Sequence, residues 1–315
     1  MIAGFTAIYT DGRRQSLKNC IRLELVRGLD SPADGFRASF AADKILPDIK
    51  GIEAYIENTP LFEGTVDEQE YSISARGRVL SLEARGLGAL TLDNEARPRT
   101  LWGANLTTMF SLLLKPYGLR LYNKMPHAAL PVFTIFKGMS EWEAFADFSS
   151  RLHNIRPYLR GNLVIVGRPD SGRRLVFSNG NKNAIKFCAL THRRSPYEII
   201  SKIYLRDAEG YYSSSVQNSA AQRLGIQRER FLIPAGEYAA APHTDANLKI
   251  RRSHYKSSAV VLRCPGFVSA EPGWEAAVED EAISRQNLLV EELRYSMDDS
   301  GIFTEFTLRD WLYYV

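Results

Sequence analysis

The apolar pattern of this chain changes period twice, and that change limits the folds open to it more than any other feature. Residues 20–26 alternate, with Ile21, Leu23 and Leu25 on one face and Arg22 and Glu24 on the other. A period of two is the mark of a half-buried strand. The same alternation returns in 79–85, where Leu80, Leu82 and Ala84 oppose Ser81, Glu83 and Arg85. Residues 61–74 read as a long strand that meets 79–85 through Arg76-Gly77-Arg78, a reversal of hairpin type. Residues 5–10, before Asp11-Gly12, and the runs 35–40 and 52–57, parted by the breakers Pro47 and Gly51, add further short strands. Many short strands with turn signals at this spacing predict a sandwich or barrel.

Near Pro98 the period becomes helical. Leu106, Met109, Phe110, Leu113 and Leu114 form one stripe, closed by Lys115-Pro116 and Gly118. Ser140 and Glu143 have capping-box spacing at the head of a second helix, whose inner face is Trp142, Phe145, Ala146, Ser149 and Leu152. A hairpin follows, with 158–160 and 163–166 joined by Gly161-Asn162. After about Gly180 the period returns to two. Residues 183–189 and 199–205 are expected as strands around a basic turn at His192-Arg193-Arg194, with a flexible excursion over 209–221 and a basic helix over 245–255. Residues 260–264 form a strand ended by Pro265-Gly266. In a closing hairpin, Leu289, Leu293, Tyr295 and Met297 share a face, as do Ile302, Thr304, Phe306 and Leu308, around a turn at Asp298 to Gly301. The expected fold class is therefore mainly β with an α+β middle domain: β-barrel domains over 1–98 and 181–315, and a small helix-hairpin domain over 99–180.

A chain of 315 residues suits two or three domains. With 45% hydrophobic and 24% charged residues it is ordinary for a folded protein, and 40 Lys and Arg against 36 Asp and Glu do not mark a nucleic-acid binder. Cys20, Cys188 and Cys264 are far apart and form no CxxC pair, the pattern of small apolar fillers in a reducing compartment. No signal peptide opens the chain and no apolar run reaches bilayer length, so no stable membrane insertion is expected.

Chemistry finds little support. His127, His153, His192, His243 and His254 make no HxxxH or HExxH pair, and neither a GxSxG elbow nor a Walker loop occurs. Gly86-Leu87-Gly88 lacks an evident helix behind it, which a phosphate cradle needs; Ala89 to Asn94 read as a loop or strand end. Glu141 and Glu143 flank Trp142, but residues two apart on a helix diverge, so they suit the helix dipole better than a paired-carboxylate glycosidase site. Lys249, Arg251, Arg252 and Lys256 have only Tyr255 beside them for base stacking. A solvated face, or contact with an acidic surface such as Glu275, Glu279, Asp280 and Glu281 in the same or a neighbouring chain, is the expected role. No catalytic, cofactor-binding or metal-binding residue is assigned, and no cofactor.

The order of these pieces carries a resemblance. A β domain ending in the hairpin 70–86 is followed by a Trp-led helix closing on Pro-Tyr-Gly-Leu, Trp102 to Leu119. Then come Met139-Ser140-Glu141-Trp142 with its hairpin to Pro169, Arg228 to Pro234, the basic helix, Val260 to Gly266 and the hairpin 288–309. The chain resembles the baseplate hub proteins of contractile and long-tailed phages, the late-control family, which is related to the spike bases of type VI secretion.

The resemblance implies two tail-tube-like β-barrel domains and a structural, non-enzymatic role. It further implies a homotrimeric ring that joins the hexameric tail tube to a trimeric spike or tip protein, touches other baseplate proteins and lets DNA pass transiently. The place implied is the virion tail, after assembly in the host cytoplasm. Because the sequence stops at Val315, directly after the last hairpin, no appended lysozyme, peptidase or receptor-binding domain is expected. A tail-associated cell-wall hydrolase and a tail-tube or tube-initiator protein stand as alternatives.

Overall fold

The structure, a computed structural model, describes residues 3–57, 59–75, 77–169, 174–233, 242–281 and 283–314. The chain falls into two units, one of Met1–Pro169, Arg263–Pro272 and Glu291–Glu305, the other of Asp170–Leu262, Gly273–Val290 and Phe306–Val315. The fold is mainly β, as the two-residue period predicts.

The first unit begins with seven strands, β1 (Ala3–Tyr9), β2 (Arg14–Leu17), β3 (Cys20–Gly28), β4 (Gly35–Ala41), β5 (Ile49–Ile56), β6 (Thr59–Ser74) and β7 (Gly77–Gly86). They hydrogen-bond in the order β3-β4-β7-β6-β5-β1-β2, every pairing antiparallel. Alternation delivers one apolar face per strand: Leu23 and Leu25, Phe36, Ala38 and Phe40, and Leu80, Leu82 and Ala84 are all buried. At the centre the Phe36 and Phe62 rings stack at 4.8 Å and Phe5 meets Phe40 edge-on at 5.2 Å. Position 76 of the expected reversal lies outside the described residues; Gly77 opens β7 at φ +122°, where a side chain would be strained.

Two expectations here need correction. Ile21 is 50% exposed although Leu23 and Leu25 are buried, because the β3–β4 register slips between Cys20 and Arg22 and a bulge turns Ile21 outward. Gly51 breaks nothing: it lies inside β5 opposite Thr65, and a Cβ there would sit 3.2 Å from the Gly64 carbonyl oxygen.

The same unit continues through α1 (Ala89–Asp93), β8 (Arg99–Asn105), α2 (Leu106–Leu113), β9 (Arg120–Asn123), β10 (Ala129–Ile135), α3 (Glu141–His153), β11 (Tyr158–Arg160) and β12 (Leu163–Val166). The stripe on α2 is buried as its spacing predicts, from Leu106 through Leu114, and Asn105 caps it by accepting from the Thr108 N–H at 2.9 Å. Trp102 does not lead this helix: it lies in β8, 80% exposed, opposite Val132 of β10. On α3 both bonds of the capping box form, Glu143 N–H to Ser140 Oγ at 3.1 Å and Ser140 N–H to Glu143 Oε2 at 2.8 Å. Phe145 and Phe148 are fully buried against Phe110 and Phe133. Ser140→Ala removes one of two reciprocal bonds and should cost about 1 kcal/mol, read as a lower midpoint in urea unfolding at unchanged slope.

The second unit holds β13 (Arg174–Phe177), β14 (Ala189–Arg194), β15 (Lys202–Leu205), β16 (Ser214–Gln217), α4 (Ser219–Arg223), β17 (Glu229–Leu232), α5 (Pro242–Ser257), residues 258–262 of β18 (Ser258–Pro265) and β19 (Glu275–Glu279). The final hairpin is β20 (Ser284–Asp298) and β21 (Gly301–Asp310), and β14-β18-β21-β20 are neighbours in that order. β19 pairs antiparallel with β20 and parallel with β13. A separate small sheet, β16-β15-β17, packs Ile203 and Leu205 against Ala246 and Ile250 of α5.

His192, Arg193 and Arg194 belong to β14 and not to a turn, while 183–188 form no strand; β14 ends its sheet order, so it needs few apolar residues. The expected excursion at 209–221 contains β16 and the start of α4, which Asn218 caps by accepting from the Ala221 N–H. Pro234 of the 228–234 motif lies outside the described residues.

In the first unit, residues 292–297 of β20 pair antiparallel with β3, placing Leu293 opposite Arg27 and Tyr295 opposite Leu25. Leu289, Leu293, Tyr295, Thr304, Phe306 and Leu308 are buried, as the expected faces of the last hairpin require, while Met297 and Ile302 near its turn are half-buried.

Candidate functional site

Several residues that could have carried chemistry have local structural roles. Trp142 is core; Glu143 completes the capping box. Gly88 is followed at once by the five-residue α1, which corrects the expectation of a loop, but its space is taken: a Cβ there would meet the Pro32 carbonyl oxygen at 2.0 Å. The glycine serves close packing. His254 stacks on Tyr313 at 4.8 Å and meets the Asn218 amide at 2.8 Å; His192 reaches Ser258 Oγ at 3.3 Å. Burial lowers the pKa of both, and in His192 Arg285 and Arg194 add to it. Among the described residues no three His, Cys, Asp or Glu side chains gather as metal ligands, and no helix is long and apolar enough to cross a membrane.

Two charged features remain, one in each unit. In the first, Arg27 stands on β3 where the period demands an apolar residue, and it is buried. Its Nε donates to Asp34 Oδ2 at 3.0 Å, while Nη2 and Nη1 grip Glu271 Oε2 and Oε1 at 2.8 and 3.0 Å. Arg160 adds a bond to the Pro272 carbonyl at 3.2 Å. Burial works against the Arg27 charge, but the two carboxylates outweigh it and raise its pKa. Burial also pushes the Asp34 carboxyl up, against the pull of Arg27. Tyr295, its pKa pushed up to about 12 chiefly by burial, donates to the carbonyls of Val268 and Ala270. The group fastens the segment 263–272 beside β3.

Asp34 gives this cluster a pH signature. Its folded pKa lies above the unfolded value, so its contribution is complete below about pH 3.9 and is lost as pH rises through the raised folded value. Asp34→Asn should flatten the fall of stability with pH across that window, measured by urea unfolding at successive pH values.

In the second unit a groove of about 620 Å³ opens between β17, α5 and the turn at Tyr197. Lys249, Arg252 and Lys256, spaced i, i+3, i+7, share one face of α5, and the groove is lined across from them by Arg230 of β17 and by Arg228 just before it. Among the described residues Glu198 is the one acidic residue in the lining. Tyr255 is buried, with Arg309 over its ring, so the aromatic groups here are Tyr197 and Phe231. Sequence spacing had offered only Tyr255; three distant segments build this groove, and no local period announces it. For Arg27 a signal existed, a charge in phase with Leu23 and Leu25.

No family model matches the chain, and no curated protein does. Solved structures do. The tail protein from Neisseria meningitidis MC58 superposes with a TM-score of 0.81 at 16% identity, covering 98% of this chain and 97% of that one. The 43 kDa tail protein of prophage MuSo2 from Shewanella oneidensis gives 0.81 at 15%, over 99% of both chains. The E. coli c3393 protein, a type VI secretion component described as structurally similar to the T4 tail proteins gp27 and gp5, gives 0.60 at 10%, covering 94% of this chain and 75% of that one. The chain thus has the fold of phage tail proteins, shared with a component of type VI secretion.

Proposed function

We propose that this protein is a structural hub of a phage or phage-like tail tip or baseplate. In this reading it forms a homotrimeric ring that fits the hexameric tail tube to a trimeric spike or tip protein, contacts other baseplate proteins and lines the channel through which DNA passes. It works in the virion tail after assembly in the host cytoplasm. The observation that supports the reading best is whole-length likeness: two tail proteins match over 97% or more of both partners. The order of motifs in the sequence points the same way.

The proposed working parts are a tube-like β domain over 1–98, an α+β domain over 99–180 and a second tube-like β domain over 181–315. Two such β domains per chain would offer a six-fold tube six similar docking surfaces from three subunits. Images of intact particles test this. A three-fold ring between tube and spike is the expected result; a six-fold ring, or a position away from the tube axis, would overturn it. The role is structural, so purified protein should leave peptidoglycan uncleared in zymograms; clearing abolished by one Asp or Glu substitution would favour the hydrolase.

A further inference from the structure

We infer that the basic groove of the second unit is the seat for the acidic turn Glu279-Asp280-Glu281 of a second copy of this chain. The groove is strongly cationic. Among the described residues Arg228, Arg230, Lys249 and Lys256 form no ion pair, although they line one cleft with a single carboxylate. Arg228 lies over the Tyr197 ring at 5.6 Å, and among the described residues its buried Nη1 has no hydrogen-bond partner. A buried guanidinium N–H left unpaired is costly, and an incoming carboxylate satisfies it.

The turn between β19 and β20 is the matching half. Reciprocal backbone bonds between Asp280 and Ile283, 3.0 and 3.2 Å, close it tightly. Glu279 and Glu281 are exposed on it, and among the described residues neither forms an ion pair; Glu279 accepts only a long bond from the Gln286 amide. None of 279–281 lines the groove of its own chain. A cationic cleft and an anionic turn at different places on one chain are the two halves of a head-to-tail contact, which closes into a ring when its rotation permits.

The occupant is favoured over a nucleic-acid strand by how the aromatics are used. Phe231 is 62% exposed, yet Tyr204 stacks on it at 5.2 Å and Tyr212 meets it edge-on at 5.0 Å; Tyr197 is 65% exposed, with Arg228 over its ring at 5.6 Å. Each ring therefore already has a protein partner that a stacking base would have to share or displace.

The inference rests on the proposed ring, and the test separates the two. Sedimentation of the full chain is compared for wild type, for Arg228→Glu with Arg230→Glu, for Lys249→Glu with Lys256→Glu, for Glu279→Arg with Glu281→Arg, and for the first and last pairs combined. Circular dichroism confirms that each is folded. Each reversal should weaken self-association roughly tenfold or more, and the combined charge swap should restore it. Reversals that leave association unchanged overturn this contact but not the ring. Wild type that stays monomeric at every concentration overturns both. Groove reversals that abolish capture of a labelled oligonucleotide while association persists assign the groove to nucleic acid instead and overturn the inference.

Discussion

Leu293→Asp is expected to lower stability by about 4 kcal/mol or more, enough to leave little folded protein at 37 °C. Leu293 is wholly buried on β20, and its cross-strand neighbour is Arg27. That neighbour does not rescue the new carboxylate, because its guanidinium is already shared by Asp34 and Glu271. A third acid at the same place adds repulsion to the cost of desolvation. Leu293→Met conserves volume and should cost less than about 1.5 kcal/mol. Thermal unfolding of the two variants side by side checks the register: equal melting of Leu293→Asp and the parent would place residue 293 outside the core.

The second large effect is expected at Arg27. Arg27→Met leaves two carboxylates close together with only Arg160 Nε, 4.0 Å from Glu271, as a remaining cation, and should destabilise by roughly 3 kcal/mol. Replacing all three, Arg27→Met with Asp34→Leu and Glu271→Leu, should recover most of that loss, since a well-packed apolar trio avoids the desolvation of charge altogether. If the triple variant is no better than Arg27→Met, the cost lies in lost packing of the arginine stem and not in stranded charge. Urea unfolding of the single, triple and parent proteins decides it.

Much of this architecture was legible because it obeys a period. The stripe from Leu106 to Leu114, the Ser140-Glu143 box, the hairpin at Gly161-Asn162 and the faces of the closing hairpin each bury one side of one element, and spacing reports that directly. What escaped lies at edges and in small sheets. β2, Arg-Gln-Ser-Leu, buries only its last residue, and β14 carries His-Arg-Arg through an edge position; backbone pairing holds such strands with little help from apolar side chains. β8 exposes Trp102, so a large aromatic ahead of a helical stripe looked like part of the helix. The basic groove was invisible for a further reason: Tyr197, Arg228 and Lys249 come from separate segments, and only folding assembles them.

The pairing of β3 with residues 292–297 has a consequence for synthesis. Strand β3 is translated early, but the strand that covers its outer edge emerges some 270 residues later. During most of elongation the nascent first unit therefore shows the ribosome's surroundings an unpaired edge, and Arg27 waits without Glu271. Such edges recruit other strands, and long-range pairing closes slowly. Chains arrested before about residue 290 should accumulate as aggregates or be degraded, while those released with the final hairpin close their own edge. A strand translated some 270 residues later thus acts as the latch on β3.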